Sequence, residues 1–91
     1  MNENEIRDTL RSYILNNFLP GEPPETLEDS TLLITSGVIT SLSMAELVTF
    51  IEDTFDVALD EDDIGSERMD SVELMVTLVS EKLDQKTAAV G

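Results

Sequence analysis

Apolar residues recur every three or four positions in three stretches of the chain, which is the spacing of one face of an α-helix. The clearest stretch lies between Gly37 and Val57. Its apolar positions form one stripe: Met44, Leu47, Val48, Ile51 and Phe55. Stepping about 100° per residue places a mostly polar set on the opposite side: Leu42, Ala45, Glu46, Thr49, Asp53 and Asp56. The pattern predicts an amphipathic helix here.

The sequence offers two possible start positions for this helix. Thr40 can serve as the N-cap, its side-chain oxygen accepting a free amide of the first turn. Ser43 to Glu46 also fits a capping box, which would delay the start by three residues. We favour Thr40, because the later start leaves Leu42 without a structural role. The helix is then expected to run from Thr40 or Ser41 to about Asp56.

Two further helices flank this one. The first is predicted from about Asn4 to Asn17, where a cluster of prolines ends it. Its apolar positions step in fours: Ile6, Leu10, Ile14 and Phe18. The last helix is predicted to begin at 70–73, a capping box with Asp70 as the cap. Its apolar face comprises Val72, Met75, Val76, Val79 and Leu83.

The remaining segments are connections and a tail. Residues 20–40 form a long loop whose aliphatic side chains are expected to pack over the helices: Leu27, Leu32, Leu33, Ile34, Val38 and Ile39. Residues 58–65 are interpreted as an acidic loop with a short helix, with Leu59 and Ile64 pointing inward. We expect an all-α, small four-helix bundle over residues 1–84 and a flexible C-terminal tail over 85–91.

Composition excludes several kinds of chemistry. The chain of 91 residues has no cysteine and no histidine, so it lacks disulfides, imidazole bases and the usual zinc ligands. It is also too short to enclose a large active site. These absences disfavour a hydrolase or a metal enzyme, which ranks last among the alternatives; we expect a protein that is not itself an enzyme and has no metal site. No apolar run is long enough to span a membrane and no secretory signal is visible, so we expect a cytoplasmic protein.

The charge is strongly negative and unevenly distributed. Twenty acidic residues against five basic ones give a net charge of −15. All the bases lie towards the ends: Arg7, Arg11, Arg68, Lys82 and Lys86. Such a surface repels nucleic acid and anionic lipid, so we expect neither as a partner. It favours solubility and also attraction to basic partner proteins.

Ser41 is the principal candidate for chemistry. No histidine is present and no lysine lies near it in the sequence, so nothing would activate it as a nucleophile. Another enzyme could still modify its hydroxyl. Leu42 beside it is an apolar side chain on the acidic face of the predicted helix. This combination at a helix start is typical of a docking surface, although a capping serine and one exposed leucine are also common in structural roles.

The segments 41–48 (SLSMAELV) and 51–57 (IEDTFDV) resemble the attachment-site helix of acyl carrier and peptidyl carrier proteins. The resemblance extends from about Ile6 to Leu83. It includes the order of long helix, long loop, serine helix, short helix and final helix. Residues 68–72 (RMDSV) are also similar to the Phe-x-Ser-Val sequence that precedes the last helix in peptidyl-type carriers.

The resemblance implies a function. Ser41 would carry a 4′-phosphopantetheine arm, transferred from coenzyme A by a phosphopantetheinyl transferase, and the arm's thiol would hold an acyl or aminoacyl group. Leu42, Glu46 and Asp53 would form the recognition face for that transferase, for a loading ligase and for downstream synthases with basic docking surfaces. The protein would be a freestanding, monomeric carrier of fatty-acid, polyketide, nonribosomal-peptide or related aminoacyl metabolism.

Alternatives remain at several positions. The family usually has Asp-Ser-Leu where this chain has Thr40-Ser41-Leu42, which leaves open an unmodified acidic adaptor that binds basic partner proteins. Ser71 follows an aspartate too, but only one helix would follow it; Ser36 and Ser43 rank lower. The acidic run 60–65 begins like a calcium-binding EF-hand loop. It lacks oxygen ligands at the fifth and twelfth positions, so a solvated acidic loop is expected.

Overall fold

The computed structural model describes residues 2–64 and 67–90. Its α-helices are α1 (Glu3–Phe18), α2 (Ser41–Phe55), α3 (Glu61–Ile64) and α4 (Val72–Val90). Short 3₁₀ helices, Pro24–Thr26 and Glu67–Met69, lie in the connections. No strand occurs in the described residues. The predicted all-α fold of four helices is therefore confirmed, with its long loop between α1 and α2 and its short α3.

The core forms where α4 packs against α1 and α2. The predicted apolar faces supply most of it, and their fully or nearly fully buried members are Ile6, Leu10, Ile14, Met44, Leu47, Ile51, Phe55, Val72, Met75, Val76 and Val79. Val48, Phe18 and Leu83 pack against this core while remaining partly exposed. The buried stripe of α2 faces the core, so its acidic face turns to solvent.

The loop between α1 and α2 packs on the bundle only in part. Leu27, Leu33 and Ile39 are buried as predicted. Leu32 and Ile34 are 50% and 37% exposed, so the expectation that they too would pack over the helices is wrong. The reason is local. Consecutive side chains on a non-helical segment point in different directions, and here Leu33 takes the inward position between two outward ones.

The start of α4 differs from the prediction. Ser71, and not Asp70, caps the helix, because the Leu74 amide donates to Ser71 Oγ over 3.2 Å. The Asp70 carboxylate instead accepts hydrogen bonds from the Ile34 and Thr35 amides of the long loop. A side chain already bonded to a distant segment is not free to cap its own helix, which therefore begins at Val72.

The end of α4 also differs. The helix continues through Val90, into the segment 85–91 that lacks apolar periodicity. Good helix formers such as Gln85 and Lys86 sustain a helix without an apolar face. Lys86 bonds the carboxylate of Asp56, the C-cap of α2. Flexibility of the tail stays a prediction, and Gly91 lies outside the described residues.

Candidate functional site

Ser41 is the first residue of α2, and the preceding residues fix its position. Thr40 is the N-cap, as predicted, with Oγ1 accepting from the Ser43 amide over 3.3 Å. Gly37 turns the chain just before it with a φ of +86°, a conformation that glycine adopts without steric cost. Ser41 is exposed, and within residues 2–64 and 67–90 its hydroxyl has no hydrogen-bond partner. The hydroxyl is therefore accessible to a modifying enzyme.

The other serines considered from the sequence have different surroundings. Ser71 is 3% exposed and caps α4, so its hydroxyl is neither accessible nor free. Ser43 Oγ lies 3.2 Å from Thr40 Oγ1. Ser36 is exposed, and its hydroxyl donates to the Leu33 carbonyl oxygen over 3.4 Å. Among these four serines, Ser41 alone combines exposure with a hydroxyl that makes no bond to the described part of the chain.

A depression of about 860 Å³ adjoins Ser41. Ile34 and Ile39 of the long loop, Met44 of α2 and Ile64 of α3 line it with apolar side chains. The acidic residues Glu67 and Asp70 also line it. The site is thus an exposed hydroxyl beside a mainly apolar concave surface.

The outer face of α2 is apolar at its start and acidic further along. Leu42 is 78% exposed, next to Ser41. Glu46 and Asp53 follow on the same face and are also exposed. Leu42, Glu46 and Asp53, which the resemblance assigned to partner recognition, therefore share one solvent-facing side of α2 as the helical spacing predicted.

The basic residues are paired elsewhere. Arg7 and Arg11 contact Asp29, Arg68 contacts Glu81 and Asp63, Lys82 contacts Asp63 and Asp60, and Lys86 contacts Asp56. Among the described residues, no ion pair reaches Glu46 or Asp53. The negative charge of the α2 face is thus left uncompensated within this part of the molecule, whereas the acidic residues near α3 are partly neutralised.

Asp63 of α3 was missed by sequence reasoning, which treated residues 60–65 as a solvated acidic loop. The residue is 6% exposed and its Oδ2 lies 2.8 Å from Lys82 Nζ. The hydrogen bond from Lys82 is the main cause that lowers the pKa of Asp63, while burial opposes it. Asp60 and Asp63 also exchange backbone-to-carboxylate bonds in the manner of a capping box. Their i, i+3 spacing was the one available signal.

No group of three or more acidic residues in the described part of the chain is arranged to hold a metal ion. An EF-hand loop that begins at Asp60 would place Gly65 at its sixth position, and this residue lies outside the described residues. Asp60, the first position of that motif, and Asp63 instead accept from each other's amides, and both contact Lys82. Their carboxylates are therefore engaged in structural contacts.

No helix of the described residues has both the length and the apolar character needed to cross a membrane. No protein-family model matches the chain, and no curated protein matches it either.

Proposed function

We propose that the protein is a carrier that holds acyl or aminoacyl groups as thioesters on a 4′-phosphopantetheine arm attached to Ser41. The observation that carries this proposal is the exposed Ser41 hydroxyl at the first position of α2, which bonds no other residue that the structure describes. The similarity of segments 41–48 and 51–57 to carrier attachment helices supports it. The missing histidine and cysteine agree with a serine that is modified by another enzyme.

The residues around Ser41 fit such a group. A phosphodiester on Ser41 would lie at the N-terminus of α2, where the free amides and the helix dipole favour negative charge. No acidic residue occupies the first turn of α2, so no carboxylate of that turn competes for this position. When attached, the arm would supply a terminal thiol for thioester chemistry. The chain's own part is to hold the hydroxyl outward on a rigid helix.

The acidic face of α2 is the proposed surface for partner enzymes. Leu42 offers an apolar contact next to Ser41, and Glu46 and Asp53, which form no ion pair with the described residues, offer negative charge to basic surfaces. Exposed ion pairs are individually weak and are screened by salt. Weak contacts suit a carrier that must meet a transferase, a loading ligase and downstream synthases in turn, because each complex has to dissociate quickly.

The absence of cysteine gives this proposal a direct test. Any thiol on the purified protein must come from an attached group, since the chain itself contains none. After incubation with coenzyme A and a broad-specificity phosphopantetheinyl transferase, followed by desalting, we expect one titratable thiol per chain. Before incubation we expect none, and Ser41→Ala should remain without thiol. A wild-type protein that gains no thiol with any transferase would overturn the proposal.

A second candidate is an unmodified acidic adaptor that binds a basic partner protein. Thr40 favours it, because acyl carrier and peptidyl carrier proteins usually have an aspartate before the serine. The uncompensated charge of Glu46 and Asp53 serves this function equally well. The adaptor predicts that Ser41→Ala retains full binding and biological activity, whereas the carrier predicts that the same variant loses activity while it remains folded.

A further inference from the structure

One residue at the start of α4 holds the loop that leads to Ser41. Asp70 Oδ1 accepts from the Ile34 amide over 2.8 Å and from the Thr35 amide over 3.1 Å. Asp70 Oδ2 accepts from the Thr35 hydroxyl over 2.6 Å. The Asp70 main-chain oxygen also accepts from the Leu33 amide over 2.6 Å. Four hydrogen bonds thus join Asp70 to three consecutive loop residues.

The same loop closes on itself before it reaches Ser41. The Ile39 amide donates to the Leu33 carbonyl oxygen over 2.9 Å, and the Gly37 amide donates to the Ile34 oxygen over 3.1 Å. Residues 33–39 are therefore tied together, and Thr40 and Ser41 follow at once. Because the loop is held at residues 33–35, the direction from which the chain enters α2 is held as well.

The charge of Asp70 strengthens these bonds. Hydrogen bonds to an ionised acceptor are shorter and stronger than those between neutral groups. The hydrogen bond from Thr35 is the main cause that holds the pKa of Asp70 below its ordinary value, so the carboxylate is ionised at neutral pH. None of the ion pairs described above involves Asp70, so the described loop donors are what satisfy it.

We propose that Asp70 is a positioning residue for the modification of Ser41: it ties residues 33–35 to the start of α4 and so holds the backbone of Ser41 in place beside the depression. This inference rests on the proposed carrier function. Asp70 lines the same depression as Ser41, but the described bonds of its carboxylate go to Ile34 and Thr35, so it acts through the loop. Its loss should therefore change the rate of transfer once the transferase is bound, more than the affinity for the transferase.

Three variants test this role. Asp70→Ala removes both carboxylate acceptors, whereas Asp70→Asn keeps an oxygen for the Ile34 and Thr35 amides. Thr35→Val removes the hydroxyl that donates to Asp70. Asp8→Asn, an exposed aspartate on α1, is the control for the loss of one negative charge. Far-ultraviolet circular dichroism and urea unfolding identify the variants that remain folded at the assay temperature.

The first measurement is steady-state modification by the transferase with the carrier as the varied substrate. For Asp70→Ala we expect kcat to fall about tenfold with KM changed less than about twofold, since charged hydrogen bonds to two amides are lost. Asp70→Asn should recover most of kcat, and Thr35→Val should lie between them. Asp8→Asn should match the wild type. A smaller fraction of folded protein would instead raise the apparent KM and leave kcat unchanged.

The second measurement does not depend on modification. Amide hydrogen exchange at Ile34 and Thr35 should accelerate by roughly tenfold or more in Asp70→Ala, because both amides lose their acceptor. If the loop amides exchange faster but kcat is unchanged, the positioning role is wrong while the carrier function stands. If Asp70→Ala unfolds, an unchanged kcat in folded Thr35→Val overturns the role equally. A wild-type protein that is never modified overturns both proposals.

Discussion

Lys82 Nζ of α4 lies 2.8 Å from Asp63 Oδ2 of α3, and both side chains are largely shielded from solvent. The pair fastens a helix of only four residues to the longest helix of the fold. Ile64, the neighbour of Asp63, lines the depression beside Ser41. One ion pair therefore helps to hold a wall of the candidate site.

Replacing Lys82 should destabilise the fold. Lys82→Met keeps the length of the side chain but leaves the Asp63 carboxylate without its closest cation, so we expect the free energy of unfolding to fall by about 1–3 kcal/mol. Urea unfolding at pH 7 measures it. Lys86→Met is the matched control, because its partner Asp56 is exposed. If Lys86→Met loses as much stability as Lys82→Met, the burial of the Lys82–Asp63 pair is not the reason for the loss.

The same pair predicts a pH dependence. The pKa of Asp63 is lowered mainly by the hydrogen bond from Lys82, and the pKa of Lys82 is raised mainly by its hydrogen bond to Asp63. The contribution of Asp63 is therefore present above about pH 3.9, the ordinary value of aspartate, and is lost as the pH falls through its lower folded pKa. That of Lys82 is present below about pH 10.4 and is lost as the pH rises through its higher folded pKa.

The measurement is the difference in unfolding free energy between the wild type and Lys82→Met across the pH range. We expect a plateau from about pH 5 to about pH 9 and a decline on either side. Taking the difference cancels most of the change in self-repulsion as the other carboxylates titrate. If the difference varies steeply between pH 6 and 8, where neither group titrates, it does not come from the Lys82–Asp63 pair.

Thr40 caps α2 without bringing a charge to its N-terminus. Thr40→Ala removes the acceptor of the Ser43 amide and should cost about 1 kcal/mol of stability. Thr40→Asp keeps an acceptor and adds negative charge at the positive end of the helix dipole, so it should stabilise by about 0.3–1 kcal/mol at low ionic strength. Thermal or urea unfolding at two salt concentrations checks both values. If the aspartate variant is less stable than the alanine variant, the capping role of Thr40 is wrong.

Ser41 and Ser71 should respond differently to the same substitution. Ser71→Ala removes the buried cap of α4 and should cost about 1 kcal/mol. Ser41→Ala changes an exposed side chain that has no bond within the described residues, so its effect should stay within about 0.5 kcal/mol. Urea unfolding of the two variants side by side measures the contrast. Equal losses would mean that the Ser41 hydroxyl has a structural role.

The acidic face of α2 predicts salt-dependent recognition. Glu46→Lys reverses a charge that is uncompensated in the described structure, and should lower kcat/KM for the transferase by about twofold to fivefold at low salt. The effect should shrink as salt is added, because exposed charges are screened. Asp8→Lys on α1 makes the same change of charge elsewhere and should have little effect. Equal losses in both variants would indicate a response to net charge alone.

The helices and most of the core could be predicted from the sequence because helical periodicity is a local property. The buried stripe Met44, Leu47, Ile51 and Phe55 needed only residue spacing, and so did the exposure of Leu42. The cap at Thr40 could be predicted for the same reason, since a cap bonds an amide within the next few residues.

The residues that were misjudged depend on contacts between distant segments. Asp70 fits a local capping box, but its carboxylate bonds Thr35, which lies 35 residues earlier in the chain. Asp63 lies in an acidic run that is typical of a solvated loop, and only the position of Lys82 on α4 explains its burial. The apolar periodicity of one segment does not indicate which other segment packs against it. The contacts of Asp63 and Asp70 could therefore be found only from the structure.

The most direct test of the proposed attachment of phosphopantetheine to Ser41 is mass spectrometry of the intact protein. The protein is first incubated with coenzyme A and a broad-specificity phosphopantetheinyl transferase. We predict a single phosphopantetheine adduct on the wild type, kept in Ser71→Ala and lost in Ser41→Ala, with fragmentation locating it on the first residue of α2. An adduct that persists in Ser41→Ala, or none on the wild type with any transferase, would contradict the carrier function.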